Sequence, residues 1–177
     1  MSREWAMPDS STFEIRPIRK LLHRVIGNSD GLWIDPFSGG SDVADITNDL
    51  NPKIQSDYTL HAADFLARFD EGEIGGGVIY DPPYSPRQVR ECYDNIGIKT
   101  TQEDTQMAVR TKSKQEIETI TAQGATVVSF GWNSNGMGKA RGFEKDEILL
   151  VAHGGGHNDT IVTVEQRVRS RLTDFEQ

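Results

Sequence analysis

Apolar positions follow two periods along this sequence, and the alternation between them predicts helices interleaved with strands. Residues 12–26 carry apolar side chains at helical spacing, with Ser11 or Thr12 available as a cap and Gly27-Asn28 at the end. Short apolar runs at 32–34 and 77–80 each stop at an Asp-Pro pair, which is typical of buried strands. Further helices are predicted at 62–69, 86–93 and 105–122, and further strands at 44–47, 58–60 and 125–130.

The C-terminal part of the chain has the pattern of a hairpin. Residues 147–152 and 160–166 alternate like strands around a glycine-rich loop at 154–158, which suits an antiparallel hairpin at a sheet edge. Together with the strands and helices before it, this predicts an α/β fold, a mostly parallel sheet with helices on both faces. A parallel crossover normally takes a dozen or more residues, and residues 36–44 are fewer. The helix after the first strand should therefore be shortened or absent, which would expose one sheet face to a partner subunit.

Length and composition place the chain among soluble globular proteins. The 177 residues suit a single domain spanning 1–177, and 36% hydrophobic with 26% charged residues is not a disordered composition. The sequence contains no apolar run of membrane-spanning length, and residues 1–8 lack the apolar stretch of a signal peptide. Cys92 is the only cysteine, so we expect no intrachain disulfide, no zinc cluster and a cytoplasmic location.

The net charge of −8 argues against a general nucleic-acid coat protein but leaves room for a nucleic-acid enzyme, because binding depends on local charge. Basic residues cluster in three short stretches of the sequence. Each stretch is either a solvated face or a phosphate contact, and the sequence leaves both readings open. The stretches contain Arg87 and Arg90, then Lys99, Arg110, Lys112 and Lys114, and finally Lys139 and Arg141.

The most specific chemical signal is Asp81-Pro82-Pro83-Tyr84, directly after a predicted strand. In a parallel sheet, ligands bind at the carboxyl ends of the strands. Two prolines remove two N–H donors and leave nearby carbonyls free to accept hydrogen bonds. An amino group on a nucleobase offers two N–H donors, so the Asp81 carboxylate and a proline carbonyl form a matched acceptor pair. Tyr84 would supply a flat face for a flipped base. The alternative is a strand-end turn in which the prolines only stop the strand.

The tetrad resembles the catalytic motif of amino methyltransferases that act on adenine N6 or cytosine N4. Aspartate in its first position is the form most often associated with adenine. The resemblance implies a Rossmann-like methyltransferase with a seven-stranded-type sheet, S-adenosylmethionine as cofactor and Asp81, Pro82, Pro83 and Tyr84 as catalytic residues. The order of the motifs along the chain, cofactor loop first and tetrad later, is one of the circular orders of this family.

Other segments fit the same resemblance and imply cofactor contacts. The loop Asp35-Pro36-Phe37-Ser38-Gly39 is similar to the family's cofactor loop, and Asp49 stands where an acidic residue holds the ribose hydroxyls. The segment around Phe13 and Ile15 resembles the stretch that packs on the methionine end, with ordinary core packing as the alternative. The implied cofactor-binding residues are Phe13, Ile15, Asp35, Pro36, Phe37, Ser38, Gly39, Asn48, Asp49, Leu50, His61 and Ala62.

One position departs from the family pattern. The residue that binds the cofactor adenine amino group is usually an aspartate followed by alanine, whereas the matching pair here is His61-Ala62. A neutral histidine accepts one hydrogen bond and does not fully replace a carboxylate. Either His61 makes a weaker contact, or Asp64 takes its place.

No separate target-recognition domain fits in this length, so specificity would come from 85–114 and 133–141 or from a second subunit. The candidate nucleic-acid contacts are Arg87, Gln88, Asn133, Ser134, Lys139 and Arg141. We therefore expect relaxed specificity or a homodimer. Glycines at 136, 138 and 142 indicate a mobile loop carrying the last two of these residues to phosphates.

The function implied is methyl transfer from S-adenosylmethionine to adenine N6 in DNA, with the base flipped out of the duplex. The nearest alternatives keep the chemistry and change the substrate to RNA or to cytosine N4. An alternative of another class is a non-catalytic nucleic-acid-binding subunit that retains the fold.

Overall fold

A seven-stranded sheet forms the centre of the computed structural model, which describes residues 1–9, 11–95, 97 and 106–168. Its strands are β1 Ser2–Trp5, β2 Trp33–Asp35, β3 Ile46–Thr47, β4 Gly77–Tyr80, β5 Thr126–Gly131, β6 Phe143–Ala152 and β7 Thr160–Arg167. They lie in the order β1-β6-β7-β5-β4-β2-β3. Strand β7 is antiparallel to both of its neighbours, and the other paired strands are parallel. The predicted α/β class and the hairpin of β6 and β7 are confirmed.

Within the described residues, four α-helices accompany the sheet: α1 Arg16–Gly27, α2 Ala62–Leu66, α3 Pro86–Asn95 and α4 Gln106–Ile120. The prediction for 12–26 was right about the helix, but its first turn is a separate 3-10 turn at Thr12–Glu14. Helix α1 begins with Pro17 in its first turn, where the missing N–H has no intrahelical partner to lose. Helix α4 ends before 122 because Thr121 forms a parallel bridge with Ile74. Position 105, where that helix was predicted to begin, lies outside the described residues.

Both faces of the sheet are buried at β2, β4 and β5, which explains why these strands form continuous apolar runs in the sequence. On one face, Ile18, Leu21 and Leu22 of α1 join a cluster with Ile79 of β4. On the other face, Phe65 of α2 and Ile117 and Ile120 of α4 join a cluster with Val78. Adjacent residues of β4 thus point to opposite sides, as the pleat requires. The prediction of helices on both faces is confirmed.

The connection between β2 and β3 contains no helix over residues 36–45, all of which are described. Hydrogen bonds from backbone to a carboxylate hold it instead. Asp45 accepts from the Trp33 N–H at 2.8 Å, and Asp35 accepts from the Phe37 N–H at 2.8 Å. The predicted shortening of this crossover is confirmed.

Two features of the sheet differ from the sequence prediction. Strand β1 was not predicted, because its four residues are all exposed and carry no apolar alternation. It pairs in parallel with β6, so the hairpin lies one strand inside the sheet edge. The strand expected at 58–60 is reduced to a single bridge between Tyr58 and Asn48. Among the described residues, no helix is long and apolar enough to cross a membrane.

Strand β4 leaves no room for a side chain at Gly77. A Cβ atom there would clash with the carbonyl of Thr126 and lie 2.7 Å from the Trp33 ring. We expect Gly77→Ala to lower the free energy of unfolding by about 1–3 kcal/mol, because overpacking displaces a strand or a buried ring. Urea unfolding would measure this. The matched control is Gly75→Ala, since an added Cβ there meets no heavy atom within 4 Å. Equal effects of both variants would contradict this account.

Candidate active site

A cavity of about 1000 Å³ opens at the carboxyl ends of β2 and β4. Open parallel sheets bind ligands at this edge, and the volume is at the upper end of the range for ligand sites. Of the residues proposed from the sequence, those that line the cavity are Pro36, Phe37, Gly39, Asp49, Leu50, His61, Ala62, Asp81, Pro82, Pro83, Tyr84 and Gln88. The tetrad and the ribose-binding candidate therefore share one space.

The tetrad is fixed by contacts from outside its own strand. The Tyr84 hydroxyl donates to Asp81 Oδ1, and the Thr12 hydroxyl also hydrogen-bonds the Asp81 carboxylate. Arg110 of α4 lies with Nη2 3.4 Å from the Pro83 carbonyl oxygen. The Tyr84 N–H donates to Oε1 of Gln88 at 2.7 Å, which ties the tetrad to the first turn of α3. The geometry of the four residues thus depends on three other elements.

The Asp81 carboxyl group is largely shielded from water, which changes its pKa. Burial raises its pKa to about 6, and the hydrogen bonds from Tyr84 and Thr12 together with the Arg110 charge limit the rise. At neutral pH the group is therefore mainly ionised and acts as an acceptor. Below about pH 6 it becomes protonated and loses part of that capacity.

Tyr84 makes a contact that the sequence did not suggest. Burial and the neighbouring Asp81 raise the pKa of Tyr84 above its usual range, so the hydroxyl stays a donor. Its ring meets the ring of Trp132 edge-on, with centroids 5.8 Å apart and planes at 66°. The Tyr84 hydroxyl donates to Asp81 Oδ1, an oxygen that a bound amine would also use as an acceptor.

Asp35 is 1% exposed and does not itself border the cavity, although the next residues, Pro36 and Phe37, do. Its Oδ1 accepts from the Phe37 N–H, whereas the buried Oδ2 has no hydrogen-bond partner in the described structure. Burial raises the pKa of Asp35 well above its ordinary value, and the charges of Asp81 and Asp49 add to the rise. A cationic group bound nearby would relieve this unpaired carboxylate.

Asp49 lies at the cavity wall with both carboxylate oxygens oriented by the backbone. Oδ2 accepts from the Gly39 N–H at 3.0 Å, and Oδ1 accepts from the Asn51 N–H at 2.8 Å. Gly39 has φ +57°, a conformation that favours glycine and lets the loop turn beside the carboxylate. Each oxygen keeps a lone pair that can accept from a ligand hydroxyl.

Asn48 and Ser38 are buried and do not border the cavity. The Asn48 side-chain amide donates to the carbonyls of Pro36 and Leu60, both at 3.0 Å, and its oxygen accepts from the Leu60 N–H. The Ser38 N–H donates to the Asn48 carbonyl. These two residues therefore hold together the loops that form the cavity wall.

His61 and Asp64, the two alternatives for reading the cofactor adenine, both line the cavity. His61 Nδ1 lies 3.2 Å from the hydroxyl of Tyr93, which lines the cavity from α3. The Asp64 carboxylate and the His61 ring thus remain two candidates at one wall, and Tyr93 is a third polar group beside them.

The segment that was expected to pack on the methionine end contributes a different residue to the cavity. Phe13 and Ile15 are buried in the core, and the Phe13 ring lies 5.3 Å from that of Phe130. Neither borders the cavity, but Thr12 does.

The residues proposed for nucleic-acid contacts divide into two groups. Gln88 lines the cavity and Arg87 is exposed on α3 beside it. Asn133, Ser134, Lys139 and Arg141 follow β5 and do not border the cavity. Arg141 Nε lies 3.7 Å from the Glu118 carboxylate, so part of its charge is already paired.

Hydrogen bonds from two other elements hold the glycine-rich loop after β5, which its sequence predicts to be mobile. The buried Glu165 carboxylate accepts from the N–H groups of Met137 and Gly138, and Lys114 donates to the Gly136 carbonyl. Met137 is itself buried. These contacts could not be inferred from the sequence, because Glu165 is remote in sequence and reaches the loop only through the pairing of β5 with β7.

Most cavity residues that sequence reasoning missed come from the helices that cover the opening. No motif marks them, because a helix face toward a cavity has the same period as a face toward solvent. They are Thr12, Asn51, Ile54, Leu60, Ala63, Val89, Cys92, Tyr93, Thr111 and Gln115. Lys112, one of the basic residues singled out in the sequence, also lines the cavity.

Several solved methyltransferase structures share this architecture. TrmN from Thermus thermophilus matches with a TM-score of 0.56 and 16% identity over 87% of this chain and 49% of that chain. The N-methyltransferase NodS from Bradyrhizobium japonicum WM9 gives 0.56 and 11% over 92% and 100%. An rRNA methylase from Streptococcus thermophilus gives 0.52 and 10% over 93% and 100%.

These likenesses show the fold. It is a Rossmann-like methyltransferase fold, as the sequence predicted. The chain spans about half the length of the TrmN structure and the full length of the NodS structure. No protein-family model and no curated protein matches the sequence.

The raised pKa of Asp81 has a consequence for stability. Its pKa is about 6 in the folded chain against 3.8 for an unperturbed aspartate, so its contribution is complete below about pH 4 and is lost as the pH rises through about 6. Asp81→Asn cannot ionise. Relative to the parent, its free energy of unfolding should therefore rise by about 1–3 kcal/mol between about pH 4 and pH 7. Urea unfolding at a series of pH values measures the difference.

The control for this pH series is Asp57→Asn. The N–H and hydroxyl of Thr47 lower the pKa of Asp57, so its contribution is present above the ordinary aspartate pKa and is lost on acidification. The Asp57 variant should become less stable relative to the parent as the pH rises towards about 4, which is the opposite sign, and should change little between about pH 4 and pH 7. A pH-independent difference for Asp81→Asn would show that burial does not set its pKa.

Proposed function

We propose that this protein transfers a methyl group from S-adenosylmethionine to the exocyclic N6 amino group of adenine in DNA. The observation that carries the proposal is the position of Asp81 and Pro82. A buried carboxylate and a tertiary-amide carbonyl lie at the ligand edge of a methyltransferase fold, in the wall of a cavity of about 1000 Å³. Such a pair matches the two N–H donors of an aromatic amine.

The residues present fit the cofactor. S-adenosylmethionine carries an ammonium group, ribose hydroxyls and an adenine, and when bound it supplies an electrophilic methyl group. The unpartnered Asp35 Oδ2 fits a cationic group, and the oriented Asp49 carboxylate fits two hydroxyls. His61, Asp64 and the apolar Leu60 line the part of the wall that would take the adenine. A NodS structure with S-adenosyl-L-homocysteine shows that this fold accommodates a ligand of this type.

The chain contributes acceptors and positioning to the reaction. Asp81 and the Pro82 carbonyl accept the two amine N–H groups, which draws the nitrogen lone pair out of conjugation with the ring. Once the nitrogen gains a fourth bond it becomes strongly acidic. Asp81, with a pKa near about 6, can receive the proton that the nitrogen then loses. No covalent enzyme intermediate is required.

Tyr84 must change its partner when a base binds. Its hydroxyl donates to Asp81 Oδ1, so an entering amine competes with it for the same oxygen. Arg110 at the Pro83 carbonyl keeps the backbone of the tetrad in place while this exchange occurs. The exchange replaces one hydrogen bond to a carboxylate by another, and its net cost is therefore small compared with an unpaired carboxylate.

Support for adenine in DNA comes from the resemblance of the tetrad and its aspartate to the DNA amino methyltransferases. RNA and cytosine N4 are the competing substrates, and the rRNA methylase among the structural neighbours is a reason to test RNA. Radiolabelled methyl transfer to DNA, RNA and cytosine-only oligonucleotides separates the three. The mass of the modified nucleoside identifies the methylated nitrogen.

Asp81→Ala should lower methyl transfer at least about 100-fold while leaving S-adenosylmethionine affinity nearly unchanged, because Asp81 binds the target amine. For the parent, kcat/KM should fall as the pH drops through about 6, since protonation removes the acceptor. Initial rates over a pH series and calorimetry of cofactor binding measure both effects. Full activity of Asp81→Ala would remove the basis of the assignment.

Asp49→Asn should weaken S-adenosylmethionine binding about 10-fold or more, because an amide offers one acceptor where the carboxylate offers two. Isothermal calorimetry without nucleic acid gives this directly. Asp42→Asn is the matched control, since Asp42 is exposed in the neighbouring crossover and does not line the cavity. Absence of cofactor binding by the parent would favour a non-catalytic nucleic-acid-binding subunit.

A further inference from the structure

Trp132 is exposed although its neighbours on the sheet edge are packed. It follows β5 directly and is 44% exposed. Among the described residues that come after Met7 in the chain, no other large hydrophobic residue is exposed. Strands β4 and β5 are adjacent and parallel, so Trp132 and the tetrad leave the sheet at the same edge. Leaving part of an indole ring in water costs free energy, and contacts within the chain do not offset that cost.

The position of Trp132 relative to the cavity indicates where a group stacked on it would lie. Its ring contacts the ring of Tyr84 edge-on at 5.8 Å, and Tyr84 lines the cavity. Trp132 itself does not line the cavity. A flat group stacked on the exposed part of Trp132 would therefore lie outside the cavity, next to Tyr84.

The platform is rigid on both sides. Tyr84 is fixed by its hydroxyl bond to Asp81 and by its N–H bond to Gln88. The loop after Trp132 is anchored where Glu165 accepts from Met137 and Gly138. A pre-formed aromatic surface loses little conformational entropy when a base stacks on it.

One basic residue lines the cavity, and two more lie on the helix that follows the tetrad. Lys112 of α4 is exposed and lines the cavity, and Arg87 and Arg90 are exposed on α3, which begins two residues after Tyr84. Aromatic platforms combined with basic side chains are the usual means of holding single-stranded nucleic acid without sequence readout.

We propose that Trp132 stacks the nucleobase that flanks the target nucleotide, so that the substrate is a polynucleotide with an unstacked target region and not a free nucleoside. This deepens the proposed function and rests on it. The target base occupies the cavity, its neighbour in the chain lies on Trp132, and the phosphate between and beyond them faces the basic side chains. The chemistry recognised is a nucleobase face, which DNA and RNA share.

The kinetic test compares an adenine-containing single-stranded oligonucleotide with adenosine and deoxyadenosine as methyl acceptors. The parent should prefer the oligonucleotide. The Trp132→Ala variant should have a kcat/KM for the oligonucleotide about 5- to 100-fold below that of the parent, which is the range expected from the loss of one stacked base. The kcat/KM of this variant for the nucleosides should stay within about twofold of the parent value. Trp132→Phe should retain most of the preference. DNA and RNA oligonucleotides of one sequence are run in parallel to distinguish the two sources of the base.

The control is Trp5→Ala, because Trp5 is also exposed but lies on β1 at the far edge of the sheet. It should leave the preference unchanged. If Trp132→Ala lowered oligonucleotide and nucleoside rates equally, Trp132 would only support Tyr84 and the inference would be wrong. An unchanged preference in Trp132→Ala would overturn it as well.

A binding measurement separates failure of this inference from failure of the proposed function. Oligonucleotide without cofactor should quench the tryptophan fluorescence of Trp5→Phe, and the quenching should be lost in Trp5→Phe combined with Trp132→Phe. Quenching without methyl transfer to any acceptor would overturn the proposed function and leave the stacking surface standing. Methyl transfer without quenching would overturn the stacking surface alone.

Discussion

The central constraint in this structure is that the Asp81 carboxylate must stay ionised in a cavity wall where it is largely shielded from water. Asp81 is placed there by β4, which is buried on both faces, and burial raises its pKa to about 6. Hydroxyls from Thr12 and Tyr84 and the nearby Arg110 charge keep the ionised form accessible. The surrounding architecture is therefore arranged around one acceptor whose partners can be exchanged.

A second buried carboxylate extends the same principle along the sheet edge. Asp35 ends β2 with one oxygen unpaired, and Asp49 follows β3 with both oxygens oriented by backbone N–H groups. Burial raises the cost of ionising Asp35, and the charges of Asp81 and Asp49 add to that cost. A ligand with cationic and hydroxyl groups lowers that cost. The short crossover brings these groups together without the usual helix, by hydrogen bonds to Asp45 and Asn48.

Outside the cavity, a buried carboxylate anchors the loop that follows β5. Glu165 of β7 is fully buried, yet its carboxylate is used to hold the backbone of the loop after β5. A buried charge is stable only when hydrogen-bonded, so the loop and the carboxylate fix each other. The result is an exposed indole in a defined position beside Tyr84. In the proposed function, the polar interior of the site accepts an amine and the exposed indole stacks on a neighbouring base.

The sequence by itself determined the α/β class, the buried strands, the shortened crossover and the placement of Asp81 and Asp49 at strand ends, because these follow from local periodicity and from residues adjacent in the chain. Only the tertiary structure decided that Thr12 and Arg110 reach the tetrad, that Glu165 anchors the loop, and that exposed β1 extends the sheet. The reason is physical. A side chain's partner across the fold depends on how elements pack, and packing geometry leaves no periodic trace in the sequence.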